Sequence, residues 1–376
     1  MTDTRDVWRI TRSGSLDWLR LEREPLPRPS PGQVRVGVRA AGLNLADVFA
    51  CLGMYSAAPA APFVPGLEVA GVVEAVPEAP AAPGSTGGGG DAIGGGNGTA
   101  ARTSAARVPN LRVGERVIAL TRFGGYATAL NADAHYVRRL PDRWSFAEGA
   151  AFPVQAITAW YALHGLARIQ PGESALVHSG AGGVGLNALA LLRQAGCPVI
   201  TTVGSEAKRA FLVAHAHLTP EQVIVRDRRR FGGQLDAALH TLGLGGFDVV
   251  LDAIAGPYFL PAYKRLRAEG RIVIFGASDM MPGGRRASRL RLLPRYLRRP
   301  RLDPMRMISS NRSVAGFNLI YLWDRLDRLA ALYDHAAAAL PDPPLVGRTY
   351  PFAEAMAALR WMKSGDSVGK VVLDVA

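Results

Sequence analysis

An apolar run, Ala175-Leu176-Val177-His178-Ser179, leads straight into Gly180-Ala181-Gly182-Gly183-Val184-Gly185, which has the spacing G-x-G-x-x-G. The first glycine permits a tight turn, and the second lets backbone N–H groups approach a pyrophosphate. The third allows a helix to pack closely on its strand, and the helix N-terminus adds partial positive charge. Glycine-rich turns are common on their own. Here the apolar strand before the turn, the helical stretch VGLNALALLRQAG and the second strand PVITTV complete a strand–turn–helix–strand unit. The pattern predicts a dinucleotide site, with Gly180, Gly182, Gly183, Val184 and Gly185 against the cofactor.

The rhythm around the turn agrees. Helices expected at 148–165, 183–195, 205–216, 232–242 and 257–268 alternate with the strands ALVHSG, PVITTV, VIV, FDVVLDA and RIVIFG. Such alternation predicts an α/β fold, a doubly wound parallel sheet of Rossmann type covered on both faces. The chain before about residue 145 reads differently, as short strands (VRVGVRAAG, EVAGVVEAV, ERVIAL) bounded by Pro and Gly. A helix near 323–339 and a final helix–strand pair close the chain.

The end of the second strand bears on which dinucleotide fits. An NAD site usually carries Asp or Glu about 20 residues after the motif, accepting from ribose hydroxyls. Ser205 stands there, with Glu206 one position off, and Lys208, Arg209 and Arg226 follow. Nearby cations without a carboxylate suit a 2′-phosphate, so NADPH is the expected cofactor. The plainer alternative makes Lys208 and Arg209 surface charges on a helix.

Composition narrows the class. The 376 residues include only two cysteines, Cys51 and Cys197, too few for a disulfide framework or a cysteine-rich zinc lobe. No run approaches the roughly 18 unbroken apolar residues of a spanning helix. The stretch from Ala150 to Leu163 is short and carries Pro153 and Gln155, and the N-terminus lacks a signal-peptide core. A soluble, cytoplasmic protein is expected. The formal charge of +13 is concentrated, since nine arginines fall between Arg285 and Arg306 with Asp303 the only acid. No nucleic-acid module is recognisable, and nucleic acid is not an expected partner. Residues 77–107 hold nine glycines between Gly84 and Gly98 and almost no large apolar side chain, which reads as a flexible surface insertion.

Several separated stretches carry a resemblance: AAGLNLADVFACLGMY, PFVPGLEVAGVVEAV, VGERVIAL, QAITAWYAL, LVHSGAGGVG and VGKVVL. With them the chain resembles the medium-chain dehydrogenases/reductases, in the zinc-independent quinone oxidoreductase branch. The segment SSNRSVAGFNLIYL is similar to one subgroup, the vesicle amine transport protein homologues. The resemblance implies a GroES-like β-rich catalytic domain at 1–147 and a Rossmann domain at 148–315. Residues 316–376 would complete the catalytic domain. Zinc-dependent members place a cysteine ligand where this chain has Asn44, and a histidine where the triplet Gly66-Leu67-Glu68 has leucine. Amide and leucine are not zinc ligands, so no metal is expected. A short-chain reductase is disfavoured, because no tyrosine has lysine four residues later.

Without a Lewis acid, hydride transfer favours quinones and α,β-unsaturated carbonyls, whose oxygen takes up the charge by conjugation. The resemblance carries Asn44, Asp47 and Tyr55 onto the family's catalytic loop. Asn44 would donate to the substrate oxygen or the nicotinamide ribose, or else simply hold a turn. Tyr55 would hydrogen-bond the carbonyl, or form an apolar cleft wall. Asp47 would fix the loop by accepting backbone N–H bonds. Thr158, Gly276, Ser278, Phe317, Asn318 and Lys370 match family positions near the cofactor, and Asp252 is expected to cap a turn. A homodimer is expected, paired through the strand near Ile272 to Phe275. The window Arg285–Arg306 has Leu290, Leu293 and Leu297 on one face of a short helix. It leaves three readings open: a solvated lid or dimer edge, contact with an anionic membrane, or attraction of an acyl thioester or its carrier. A second reading of the whole chain is a nucleotide-binding membrane-surface or scaffold protein with little turnover.

Overall fold

Residues 4–76, 110–284 and 289–375 are described by the computed structural model. The glycine-rich stretch expected at 77–107 and the first four residues of the arginine window lie outside them.

The N-terminal part is β-rich, as its pattern predicts. Strands β1 (Thr4–Ile10) and β2 (Leu19–Pro25) form an antiparallel hairpin. Then come β3 (Gln33–Gly42), helix α1 (Leu45–Cys51), β4 (Glu68–Ala75), β5 (Arg116–Leu120), β6 (Ala129–Asp133) and β7 (Val137–Arg139). The next elements are helices α2 (Phe146–Ala151) and α3 (Pro153–Trp160), β8 (Ala175–His178) and α4 (Gly183–Gln194). They are followed by β9 (Val199–Val203), α5 (Glu206–His215), β10 (Val223–Val225), α6 (Phe231–Thr241) and β11 (Phe247–Asp252). Helix α7 (Phe259–Lys264), β12 (Leu266–Ile274), α8 (Arg289–Leu297), α9 (Pro304–Ser310) and β13 (Ser313–Gly316) complete this run. The chain ends with α10 (Leu326–Ala339), β14 (Val346–Pro351), α11 (Ala355–Ser364) and β15 (Lys370–Asp374).

Strands β10-β9-β8-β11-β12-β13 make one sheet in that order, with every pairing parallel. Counted from β8, this is the order 3-2-1-4-5-6, which places a crevice at the reversal beside β8. Its central strands are buried because both faces are covered: β8 and β9 are buried at every residue. One face packs on α3, α4 and α10 and the other on α6 and α7. The second sheet runs β14-β15-β3-β4-β5-β7, with β6 also on β3. Here β15 pairs antiparallel with β3, so the end of the chain is built into the N-terminal sheet.

Three local expectations need correction. The helix expected at 148–165 is α2 and α3, broken at Phe152–Pro153, followed by a wide π-type turn over Tyr161–Ala167. Proline at the first position of α3 lacks the N–H that would continue α2. The helix expected at 257–268 ends at Lys264, because Leu266 already pairs with Phe247. Four residues then bulge out, with Glu269 at φ +65°, before Arg271 pairs with Val249. The strand around Ile272 to Phe275, expected to pair across a dimer, lies between β11 and β13, and β13 is the outermost strand on that side. Among the described residues, no helix is long and apolar enough to cross a membrane.

Candidate functional site

The crevice beside β8 opens into a cavity of about 530 Å³ between the two sheets. At one end lies the glycine turn. Ser179 takes a left-handed φ of +61°, and Gly180 follows so close to β9 that a Cβ would stand 2.0 Å from Thr201 Oγ1. A Cβ at Gly185 would stand 2.5 Å from Ser179 O, which is the close helix–strand packing the third glycine exists to allow. Gly182 differs: a Cβ there would meet only Ser179 O, at 3.4 Å, and otherwise face open space. The turn is also held from the other sheet, where Gly369 N–H donates to Ala181 O at 2.8 Å. Gly182, Gly183, Val184 and Gly185 line the cavity, while Gly180 sits behind them.

Beyond β9, Lys208 and Arg226 reach the same cavity. Lys208 Nζ donates to Gly365 O at 2.6 Å, and Arg226 Nη1 donates to Thr202 Oγ1 at 2.9 Å with its guanidinium 5.6 Å from the Tyr258 ring centre. Burial lowers both cations from their ordinary pKa. Ser205, expected at the ribose, instead caps α5 by accepting from Lys208 N–H and does not line the cavity. Glu206 pairs with Arg209 on the exposed face of α5.

Beside the glycine turn lies a buried polar cluster. Asn44 stands at the start of α1, Glu68 opens β4, Lys370 opens β15, and Gln155 lies in the first turn of α3. All four are less than 10% exposed. Lys370 pairs with Glu68, and its Nζ also donates to Asn44 Oδ1 at 2.9 Å. Asn44 Nδ2 donates to Glu68 Oε1 at 2.9 Å, and Glu68 Oε2 accepts from Val154 N–H at 2.8 Å. Gln155 Nε2 donates to Asn44 Oδ1 at 2.9 Å. A glycine makes room for this: a Cβ at Gly42 would stand 2.8 Å from Glu68 Cγ and 2.9 Å from Lys370 Cε.

Two of the expected site residues belong to this cluster. Asn44, expected either to donate to the substrate oxygen or the nicotinamide ribose or to hold a turn, lines the cavity and opens α1, with its amide engaged by Glu68, Lys370 and Gln155. Lys370, expected near the cofactor, lines the cavity with the glycine turn, and its ammonium pairs with Glu68. Asp47 accepts from Asn44 N–H (2.8 Å), Gly66 N–H (3.2 Å) and the Tyr126 hydroxyl (2.8 Å), so it ties the start of α1 to Gly66 and Tyr126. Burial pushes its carboxyl up to about 6. Tyr55 OH donates to Asn318 Oδ1 at 2.8 Å, and burial raises its pKa to about 12. Thr158, Gly276, Ser278, Phe317 and Asn318 line the cavity, and Asp252 accepts from Ile254 and Ala255 N–H, both at 2.8 Å.

Sequence reasoning missed Gln155 and Lys363 as cleft residues, and Glu68 as the buried partner of Lys370 and Asn44. The signal for Gln155 was available, because a polar side chain inside an apolar helical run must find partners once buried.

This donor set does not fit a zinc ion. An ammonium already lies against Asn44 and Glu68, Leu67 offers no lone pair, and the neighbouring acceptor is an amide. Among the described residues, no three His, Cys, Asp or Glu side chains are placed to hold a metal.

A parallel nucleotide-binding sheet and a mixed sheet sharing one cleft define a two-lobed, dinucleotide-dependent class of protein. The comparisons make the class specific. Residues 30–142 match the alcohol dehydrogenase GroES-like domain, and residues 224–373 match a family described as zinc-binding dehydrogenase. The human synaptic vesicle membrane protein VAT-1 homolog is 29% identical over 97% of this chain and 85% of its own length. A mycobacterial protein solved in complex with NADPH is 27% identical, with a TM-score of 0.74 over 98% of this chain and 99% of that one. The quinone oxidoreductase of Thermus thermophilus, also solved with NADPH, is 28% identical, with a TM-score of 0.68 over 98% and 99%. The chain belongs to the medium-chain dehydrogenase/reductase family of oxidoreductases.

Proposed function

We propose that this protein is an NADPH-dependent reductase of quinones or α,β-unsaturated carbonyl compounds. The observation that carries the reading is a single cleft with the glycine turn and two cations at one end and apolar walls at the other. Lys208 and Arg226 suit a 2′-phosphate, while Glu206, the carboxylate that would favour a free ribose, is turned to Arg209. Two relatives solved with NADPH support the cofactor.

Bound NADPH supplies the hydride. Leu45, Leu67, Leu120, Ile320 and Trp323 line the far end, exclude water and match the carbon skeleton of a conjugated acceptor. Negative charge arriving at such an acceptor spreads onto its oxygen, so a neutral donor serves where a simple ketone would need a Lewis acid. Tyr55 keeps its proton at neutral pH and is that donor, exchanging Asn318 Oδ1 for the substrate oxygen.

The test is NADPH oxidation with a panel of quinones and enones. At least one class should raise turnover above background, and Tyr55→Phe should lower it. Tight NADPH binding with no acceptor turned over would sink the enzyme reading. Changing Lys208 and Arg226 together to alanine should weaken NADPH far more than NADH, and equal affinities unaffected by the change would contradict the 2′-phosphate assignment.

A second reading, attachment of this reductase to a membrane surface, rests on α8. Leu292 and Arg295 fasten the helix to the body, with Arg295 Nη1 donating to Asp279 O and Met281 O at 2.8 and 3.0 Å. Leu290, Leu293 and Leu297 face outward, Leu290 being 82% exposed. With Arg298, Arg299 and Arg301 adjacent, the face suits an anionic bilayer better than an acyl thioester carrier, which would leave the leucines unmatched. Flotation with phosphatidylserine-containing vesicles, lost on changing the three leucines to serine, is the expected result. Equal recovery of both proteins would remove the basis of the idea.

A further inference from the structure

The ion pair in the buried polar cluster fixes the orientation of a neighbouring amide, and through it of a second. Asn44 has the Lys370 ammonium at its oxygen and the Glu68 carboxylate at its nitrogen. Reversing it would set N–H against ammonium and carbonyl against carboxylate, so only one orientation is allowed. Gln155 meets Asn44 at that oxygen, at 2.9 Å, and must present its NH₂ group there. The carbonyl oxygen of Gln155 therefore points the other way.

There it has no partner. Gln155 is only 7% exposed, and its Oε1 is a buried acceptor without a donor, whereas Asn44 and Glu68 are both engaged. A bound donor would satisfy this acceptor. The side chain is seated against the glycine turn, since a Cβ at Gly183 would come within 2.7 Å of Gln155 Cγ. Gly183 opens α4, where a pyrophosphate binds the helix N-terminus. The adenosine end of a dinucleotide lies towards the end of β9, with Lys208 and Arg226. On the Gln155 side, the group next to the pyrophosphate is therefore the ribose that bears the nicotinamide, and its hydroxyls are donors.

We propose that Gln155 Oε1 accepts a hydrogen bond from a hydroxyl of the nicotinamide ribose, which makes Gln155 a positioning residue between the dinucleotide and the Lys370–Glu68–Asn44 cluster. The inference rests on the reading that NADPH occupies this cleft. Through this contact the buried ion pair sets where the nicotinamide stands, although neither charged residue need touch it.

The test is a set of dissociation constants, read by fluorescence quenching on the full chain. The ligands are NADPH and analogues lacking the 2′- or the 3′-hydroxyl of the nicotinamide ribose. Wild type should bind one analogue about 5- to 10-fold more weakly than NADPH. Gln155→Met should bind NADPH and that analogue within about 2-fold of each other, because the partner of the hydroxyl is gone. Gln155→Glu keeps an oxygen acceptor but not the bond to Asn44, and should retain the discrimination. Equal losses in wild type and Gln155→Met would overturn the contact. Loss of discrimination in Gln155→Glu would overturn it as well, by assigning the effect to Asn44. Wild type that binds neither NADPH nor NADH would defeat the functional reading itself, whereas NADPH binding indifferent to both hydroxyls defeats only the role of Gln155.

Discussion

The Tyr55 hydroxyl donates to Asn318 Oδ1 at 2.8 Å and so joins, across the cleft, two residues 263 positions apart in sequence. Beside it the Ser56 and Tyr321 hydroxyls are 2.9 Å apart. Both pairs link the loop after α1 to the segment after β13. Tyr55→Phe and Asn318→Ala should each speed nucleotide release about 5-fold, and the double variant should add little, because all three lose the same bond of about 1 kcal/mol. Stopped-flow displacement of bound NADPH measures this. Independent, multiplying effects would show that the bond does not hold the cleft closed.

The glycines of the turn should separate binding from folding. Gly182→Ala puts a methyl into the open cavity, so stability should change by less than about 0.5 kcal/mol while NADPH affinity falls at least 10-fold. Gly185→Ala drives a methyl to within 2.5 Å of Ser179 O and 2.7 Å of Gly180 Cα, both backbone atoms. That change should cost about 2 kcal/mol or more in urea unfolding. Similar loss of stability in both variants would mean that Gly182 also is needed for packing.

These two relationships differ in how far the sequence revealed them. The glycine turn was legible because its constraint is local: strand, turn and helix are adjacent in the chain. Helix ends were less so, since Pro153 broke the stretch 148–165 and the pairing of Leu266 with Phe247 began a strand early. The buried polar cluster draws on β4, α3 and β15, and its pairing of Lys370 with Glu68 spans 302 residues. No periodicity encodes such a contact. Asn44 looked like a free donor because the partners that occupy it come from elsewhere in the fold.

That ion pair predicts an asymmetry. Lys370 and Glu68 are 2% and 0% exposed, so removing either charge leaves the other buried and uncompensated. Lys370→Met or Glu68→Gln should each destabilise by about 3–5 kcal/mol, and the double variant should be less destabilised than the sum. Chemical denaturation of the four proteins completes the cycle. Additivity would show that the two side chains are stabilised independently.

His178 and Asp47 should oppose one another across a single pH range. Burial holds the His178 imidazole down at about 4 against its ordinary 6.5, and the Asp47 carboxyl up at about 6 against 3.8. At His178 the unfolded chain takes up the proton first as pH falls. Its stabilisation is therefore complete above about pH 6.5 and is lost towards pH 4. At Asp47 the folded chain keeps the proton longer, so the stabilisation is complete below about pH 3.8 and is lost as pH rises through 6. Each amounts to about 3 kcal/mol at full extent, with opposite sign, so between pH 4 and 6 the two largely cancel. His178→Asn should uncover the Asp47 slope, with stability falling relative to wild type as pH rises from 4 to 6. Asp47→Asn should uncover the His178 slope, rising over the same range. Urea midpoints at half-unit pH intervals decide the matter: variants whose curves run parallel to wild type would show that neither group changes its protonation in that window.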